Sequence, residues 1–99
     1  MIAIIDESGV LQPKFSLGQL VITRNAADTI APKDVAQGIF RHGQGDWGDL
    51  DEEDKQENER ALKYGSRLFS AYHDSNGTKF WIITEYDRSL TTVLLPEDY

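Results

Sequence analysis

The chain has 99 residues, of which 39% are hydrophobic, 10% aromatic and 27% charged; it has no cysteine and a net charge of −7. That is material for one domain and too little for two, and the lack of cysteine excludes disulfides, thiolate zinc sites and thiol catalysis. No apolar run approaches the ~18 residues of a membrane span, and the short apolar patch Met1–Ile5 lacks a basic leader and meets Asp6 and Glu7 at once. A cytoplasmic domain with no export signal and no membrane association is therefore expected.

The charge is local. Between Asp46 and Glu59 lie the acids Asp46, Asp49, Asp51, Glu52, Glu53, Asp54, Glu57 and Glu59 against one base, Lys55, and the rest of the chain is neutral. Such a block repels nucleic acid and attracts basic protein surfaces.

In chain order, residues 1–14 read as an N-terminal strand or arm closed by Gly9 and Pro13. Phe15–Thr23 reads as a strand around Leu20, Val21 and Ile22, and Arg24–Ala31 as a connection. Pro32 suits the first turn of a helix, where its missing N–H is harmless. The i,i+4 pairs Val35/Ile39 and Ala36/Phe40, with Gly43 beyond, predict a helix over about 32–42. Gln44–Leu50 is a turn-rich joint. Asp49 and Glu52 have capping-box spacing and Asp51 competes as N-cap, so a second helix is predicted over about 51–64, stopped by Gly65. Its acids lie early and Arg60 and Lys63 late, which complements the helix dipole. Leu50, Asp54, Asn58 and Leu62 share one stripe, so the docking side is expected to carry Asp54 and Asn58.

The last third is β. Ser66–His73 and Thr78–Glu85 flank Asn76-Gly77, a strong hairpin signal. A two-residue turn would pair Asp74 with Lys79 and Tyr72 with Trp81. A tight turn at Asp87-Arg88 leads into Thr91–Leu95, which Pro96 ends. The expected architecture is a single α+β domain over 1–99: an antiparallel sheet of three to five strands with two helices packed on one face.

Several residues invite a chemical reading. His42, beside Arg41 and Gly43, is either a general acid/base or a helix C-terminal residue favoured by the dipole; His73 reads as surface. Trp47, held between Gly45 and Gly48, is either an exposed hot spot for a partner or a plug at the helix–helix joint. Thr84, Glu85, Asp87, Arg88, Ser89, Thr91 and Thr92 crowd the second turn, as tight turns and strands permit without function. The acidic block has no EF-hand spacing, so no metal is expected. It is either a solvated helix face or a partner-binding surface of Asp46, Trp47, Asp49, Asp51, Glu52, Glu53, Glu57 and Glu59. Its density of carboxylates is comparable with the phosphates of DNA, one charge per ~1.7 Å of axis. No glycine-rich phosphate loop, nucleophile elbow or His-rich metal spacing is present, and no cofactor is expected.

Arg41-His42-Gly43, Gly45-Asp46-Trp47-Gly48-Asp49-Leu50, Glu53-Asp54-Lys55-Gln56-Glu57-Asn58, Trp81-Ile82-Ile83-Thr84-Glu85-Tyr86-Asp87-Arg88-Ser89 and Thr91-Thr92-Val93-Leu94-Leu95-Pro96 carry a resemblance. Over roughly residues 15–99 the chain resembles a group of small uncharacterised proteins encoded on plasmids and other mobile elements of proteobacteria. The resemblance implies a mobile-element setting, in which small acidic proteins are often anti-defence factors, including anti-CRISPR proteins and other nucleic-acid mimics; it transfers no catalytic residue. In layout the chain is also similar to the barnase/EndoU/colicin-type RNase fold, which would make His42, Arg88 and Thr92 the catalytic positions. The net charge of −7 opposes that mapping, because an RNase must approach a polyanion.

The expected function is thus an acidic interaction protein, non-enzymatic, that inhibits or regulates a nucleic-acid-handling protein. Its partner would be a basic nucleic-acid-binding protein or complex such as a CRISPR-Cas effector, without direct contact to nucleic acid and with the oligomeric state open. A metal-independent RNase or a degenerate relative is the alternative, and a plasmid-maintenance accessory protein with another protein partner a third.

Overall fold

The structure, a computed structural model, describes residues 12–99. The expected N-terminal strand or arm over 1–14 therefore lies mostly outside the described residues. Its described end forms no strand: Lys14 N donates to the Gly43 carbonyl at 2.8 Å, and Pro13 packs on Gly43.

The first strand, β1, is Gln19–Ile22, shorter than the expected Phe15–Thr23. Gly18 ends it backward. Its φ is +63°, and a Cβ there would lie 2.3 Å from the Ser89 carbonyl carbon, so the backbone must turn where it passes under the Asp87–Ser89 loop. Thr23 then caps α1, Arg24–Thr29, its Oγ1 accepting from Ala26 N at 3.1 Å. This helix replaces the expected connection; its signal is the i,i+4 pair Ala26 and Ile30, both buried. The next helix, α2, is Pro32–Gly43. It lies so close to the sheet that a Cβ on Gly38 would come within 2.9 Å of the Phe80 ring. The acidic helix, α3, is Glu52–Tyr64. Asp51, not Asp49, is its N-cap, accepting from Asp54 N at 2.8 Å, and Gly65 ends it at φ +81°.

Strands β2 (Leu68–His73), β3 (Lys79–Thr84) and β4 (Leu90–Leu94) form the antiparallel meander. The sheet order is β1-β4-β3-β2, and β1 runs parallel to β4. The sheet is therefore mixed, and the purely antiparallel expectation is corrected. A strand at the edge, separated from its neighbour by three helices and two strands, has no hairpin to impose an antiparallel direction.

The hairpin register is also corrected. Tyr72 pairs with Phe80, Ala71 with Trp81 and His73 with Lys79, one residue away from the expected Tyr72–Trp81 and Asp74–Lys79. Gly77 N bonds the Asp74 carbonyl at 3.0 Å, and Asp74 N bonds the Thr78 carbonyl at 2.9 Å. The loop thus has three residues, with Gly77 at φ +83° in the bulge position. The Asp74 carboxylate holds it, accepting from Asn76 N at 2.9 Å and Thr78 N at 2.8 Å. The slip decides which face each aromatic takes: Tyr72 and Phe80 face the helices, Trp81 the other side.

Three helices rather than two cover one face. Ala26 and Ile30 join Tyr72, Phe80, Ile82 and Val93 in the main core, with Val35 and Ile39 of α2 packed against it. Trp47, Ala61 and Leu68 form a second cluster with Phe15, Leu50 and Leu62. The opposite face is covered in part by the tail, a 3-10 turn at Pro96–Asp98 followed by Tyr99, whose ring meets Trp81 at 5.9 Å.

The outer edge of β2 is closed from within. Asn58 donates to the Phe69 carbonyl at 2.6 Å and accepts from Phe69 N at 3.0 Å, so one amide side chain acts as a strand partner. Two residues on, Ala71 N bonds the Trp47 carbonyl at 3.2 Å and Asp49 N bonds the Ala71 carbonyl at 2.7 Å. Gly48 makes that approach possible, since a Cβ there would lie 2.0 Å from the Ala71 oxygen. Asn58→Leu keeps the branching at Cγ and strands both Phe69 groups, so urea unfolding should show a loss of about 1–3 kcal/mol. An unchanged midpoint would mean that water replaces the amide without loss.

Candidate functional site

The acidic block divides in two. One part is bound into the structure. Asp46 takes a two-point contact from Arg41 at 2.7 and 3.2 Å, which holds its carboxyl below the usual range. Asp49 accepts from His73 Nδ1 at 2.7 Å, Asp51 caps α3, Glu57 pairs with Arg60, and Glu59 accepts from the Trp47 indole N–H at 2.7 Å. The other part, Glu52, Glu53 and Asp54, is exposed on the first turn of α3. Among the described residues none of these three has an ion-pair partner. Asp54, expected to lean inward beside Asn58, is exposed; Asn58 alone is buried.

Trp47 is 4% exposed and fills the joint, the second of its two readings. It stacks on Phe15 at 6.3 Å and meets the His42 ring edge-on at 5.8 Å. A residue so enclosed offers no indole face to a partner.

His42 is 0% exposed. α2 carries it over the sheet, where Nδ1 lies 2.6 Å from Ser70 Oγ and Nε2 lies 2.9 Å from Thr84 Oγ1. Thr84 Oγ1 is 2.7 Å from Thr91 Oγ1, and Thr91 Oγ1 is 2.6 Å from the Leu17 carbonyl. The carbonyl can only accept, so Thr91 donates to it. Each hydroxyl has one proton. Thr84 must then donate to Thr91 and accept from His42, and Ser70 must donate to Nδ1. The chain therefore defines one tautomer, with the proton on Nε2. A second ring proton would remove the acceptor of Ser70. Burial lowers the His42 pKa from 6.5 to about 4, and the nearby Arg88 charge adds to the effect.

This arrangement suits structure rather than proton transfer to a substrate: both ring nitrogens are occupied and no face reaches solvent. The other two positions of the RNase mapping do not complete a site. Arg88, at φ +62°, donates to the carbonyls of Ser66 at 2.6 Å, Glu85 at 3.0 Å and Ala61 at 3.0 Å, capping the C-terminus of α3. Thr92 lies on the opposite face of the sheet, half-buried, in a groove of about 240 Å³ with Arg67, Ile83 and Tyr99. Thr91, its neighbour, takes the side facing His42.

A cavity of about 510 Å³ lies between α3 and β2 and is lined by Leu50, Asp54, Asn58, Arg60, Arg67 and Phe69 among others. Among the described residues no three imidazoles or carboxylates converge to hold a metal, and no helix is long and apolar enough to cross a membrane. No protein-family profile, curated protein or solved structure matches the chain.

The polar chain was only partly readable. Thr84 and Thr91 stood out as a crowd at the turn, whereas Ser70 did not. Its signal is the alternation Leu68-Ser70-Tyr72, in which a serine takes an inward position.

The sign of the pH dependence follows. Between about pH 4 and 6.5 the unfolded chain holds a proton on His42 that the native chain excludes, so acid stabilises the unfolded state. The His42 contribution is complete above pH 6.5 and falls by roughly 3 kcal/mol in total as pH drops to about 4. The lowered carboxylates Asp34, Asp46, Asp87 and Asp98 act in a more acid range. Urea titrations at stepped pH should show this slope, and NMR should show the Nε2–H tautomer persisting at pH 5. Titration of the His42 ring near 6.5 would contradict the buried chain.

Proposed function

We propose that this chain is a mobile-element-encoded interaction protein, an anti-defence factor of the anti-CRISPR kind or a related inhibitor, which presents carboxylates to the nucleic-acid-binding surface of a basic protein. The observation that carries the reading is the exposed, unpaired trio Glu52, Glu53 and Asp54 on a helix whose other side is fastened at every turn. Asp51 caps its start, Glu59 holds the Trp47 indole, Asn58 clamps Phe69 and Arg88 caps its end. Carboxylates on a fastened helix need little ordering when a partner docks, so more of the contact energy goes into binding. Glu53 and Glu57 share a stripe at i,i+4, extending the acidic surface by one turn.

The structure also dictates the variant. Glu59 supports Trp47 and is left intact. The combination Glu52→Gln, Glu53→Gln, Asp54→Asn and Glu57→Gln removes the three unpaired charges and, with them, the exposed Glu57–Arg60 pair within α3. Each surface pair or dipole contact contributes up to about 1 kcal/mol, so the variant should stay folded by circular dichroism. Wild-type protein immobilised on beads should capture a basic protein from a proteobacterial lysate. Added duplex DNA or RNA should displace it, and rising salt should weaken it, because charges are screened beyond ~10 Å at 0.1 M. The variant should capture it at least about tenfold more weakly. Equal capture by both proteins, or indifference to competing nucleic acid, would leave α3 as a solvated face and end the proposal.

A further inference from the structure

The two edges of the sheet differ. The β2 edge is closed by Asn58 and by the Trp47–Asp49 segment. At the other edge β1 has, among the described residues, β4 as its only neighbour. Gln19 N bonds the Ser89 carbonyl and Thr23 N bonds the Val93 carbonyl, both at 3.0 Å. In a parallel ladder alternate residues serve one neighbour. Gln19, Val21 and Thr23 thus address β4, and the N–H and C=O of Leu20 and Ile22 point away from the sheet. Among the described residues nothing bonds them.

The usual edge protections are missing from Gln19–Ile22: it has no charge, no proline and no bulge. Leu20 is 50% exposed and Ile22 41%. An apolar groove of about 270 Å³ runs from Ile22 to Pro32 and Ala36 of α2. Pro32, Ala36 and Phe40 recur every fourth residue and all are exposed, Phe40 by 50%.

We infer that a second copy of the chain docks on this edge, the two β1 strands pairing antiparallel about a two-fold axis through Val21. The strand is complementary to itself. With the axis at Val21, Leu20 falls opposite Ile22 of the second copy and Ile22 opposite its Leu20, so every open N–H and C=O gains a partner. Gln19 falls opposite Thr23, and no like charges meet. The same axis brings α2 beside its counterpart, where the Pro32, Ala36 and Phe40 stripes cover each other. That helix contact is needed, because a stable interface buries about 1,200 Å² or more in total and a four-residue strand supplies only part of it. Charge favours this end of the molecule. α3 packs on β2, at the far side of the sheet from β1, so two chains of net charge −7 meet away from their acidic helices.

Light scattering over a concentration series should show species rising from the 11.2 kDa chain mass to twice that value. In the dimer the amides of Leu20 and Ile22 should be protected from hydrogen exchange. Leu20→Lys should weaken the dimer by at least about tenfold. Leu20→Pro removes only an outward N–H, which an edge strand tolerates, and should do the same while the β4 amides stay protected. The inference is overturned by chain mass at every concentration, by a dimer that survives both substitutions, or by a dimer whose Leu20 and Ile22 amides exchange freely. The carboxylate-neutralised α3 variant should dimerise as wild type, so this test and the one on α3 fail separately.

Discussion

The interior of this protein is assembled around one buried neutral imidazole. His42 sits where α2 crosses the sheet, and its two nitrogens tie that helix to β2 through Ser70 and to β3 through Thr84. Thr91 extends the tie to β4 and to the segment before β1. A buried polar group without a partner costs about 1–3 kcal/mol; here each member has one, and no buried side-chain nitrogen or oxygen is left without a bond among the described residues. The chain of donors favours the neutral ring, since a proton on Nδ1 would leave the Ser70 hydroxyl without its acceptor. Phe15 and Trp47 pack against that ring at 5.4 and 5.8 Å, so the joint between α2 and α3 is assembled on it.

From that joint the acidic helix inherits its position. Trp47 is set against His42 and in turn holds Glu59. Tyr72, whose burial pushes its hydroxyl pKa up, donates to the Asp46 carbonyl at 2.6 Å and lies 4.6 Å beneath the Arg41 guanidinium. The residues that the sequence groups as one acidic block are thus of two kinds. Asp46, Asp49, Asp51, Glu57 and Glu59 are held by partners, and Glu52, Glu53 and Asp54 on the first turn face solvent with no ion-pair partner among the described residues.

How much of this could be read beforehand depended on whether the signal was local. α2 and α3 were legible because Pro32, the i,i+4 pairs and Gly65 act within a few residues of themselves. The meander was legible from its turns. The hairpin register was not, because Asn76-Gly77 suits a two-residue loop, and the Asp74 side chain that selects three residues acts through geometry. The parallel pairing of β1 with β4 depends on contacts about 70 residues apart, which no local pattern encodes. His42 stood out as a residue type, but its role depended on Ser70 and Thr84, 28 and 42 positions away. The RNase layout points to Thr92 for the His42 side of the sheet, but alternation along the strand gives that side to Thr91.

The closed β2 edge has a consequence for how large any assembly can become. A sheet with two open margins can add strands at both and has no natural end, which is how fibrils grow. Here one margin is occupied by the protein's own Asn58 and by the stretch around Gly48. Two copies joined at β1 would present only such occupied margins to the outside. Propagation would then have no second site from which to continue, and association would terminate at a closed pair.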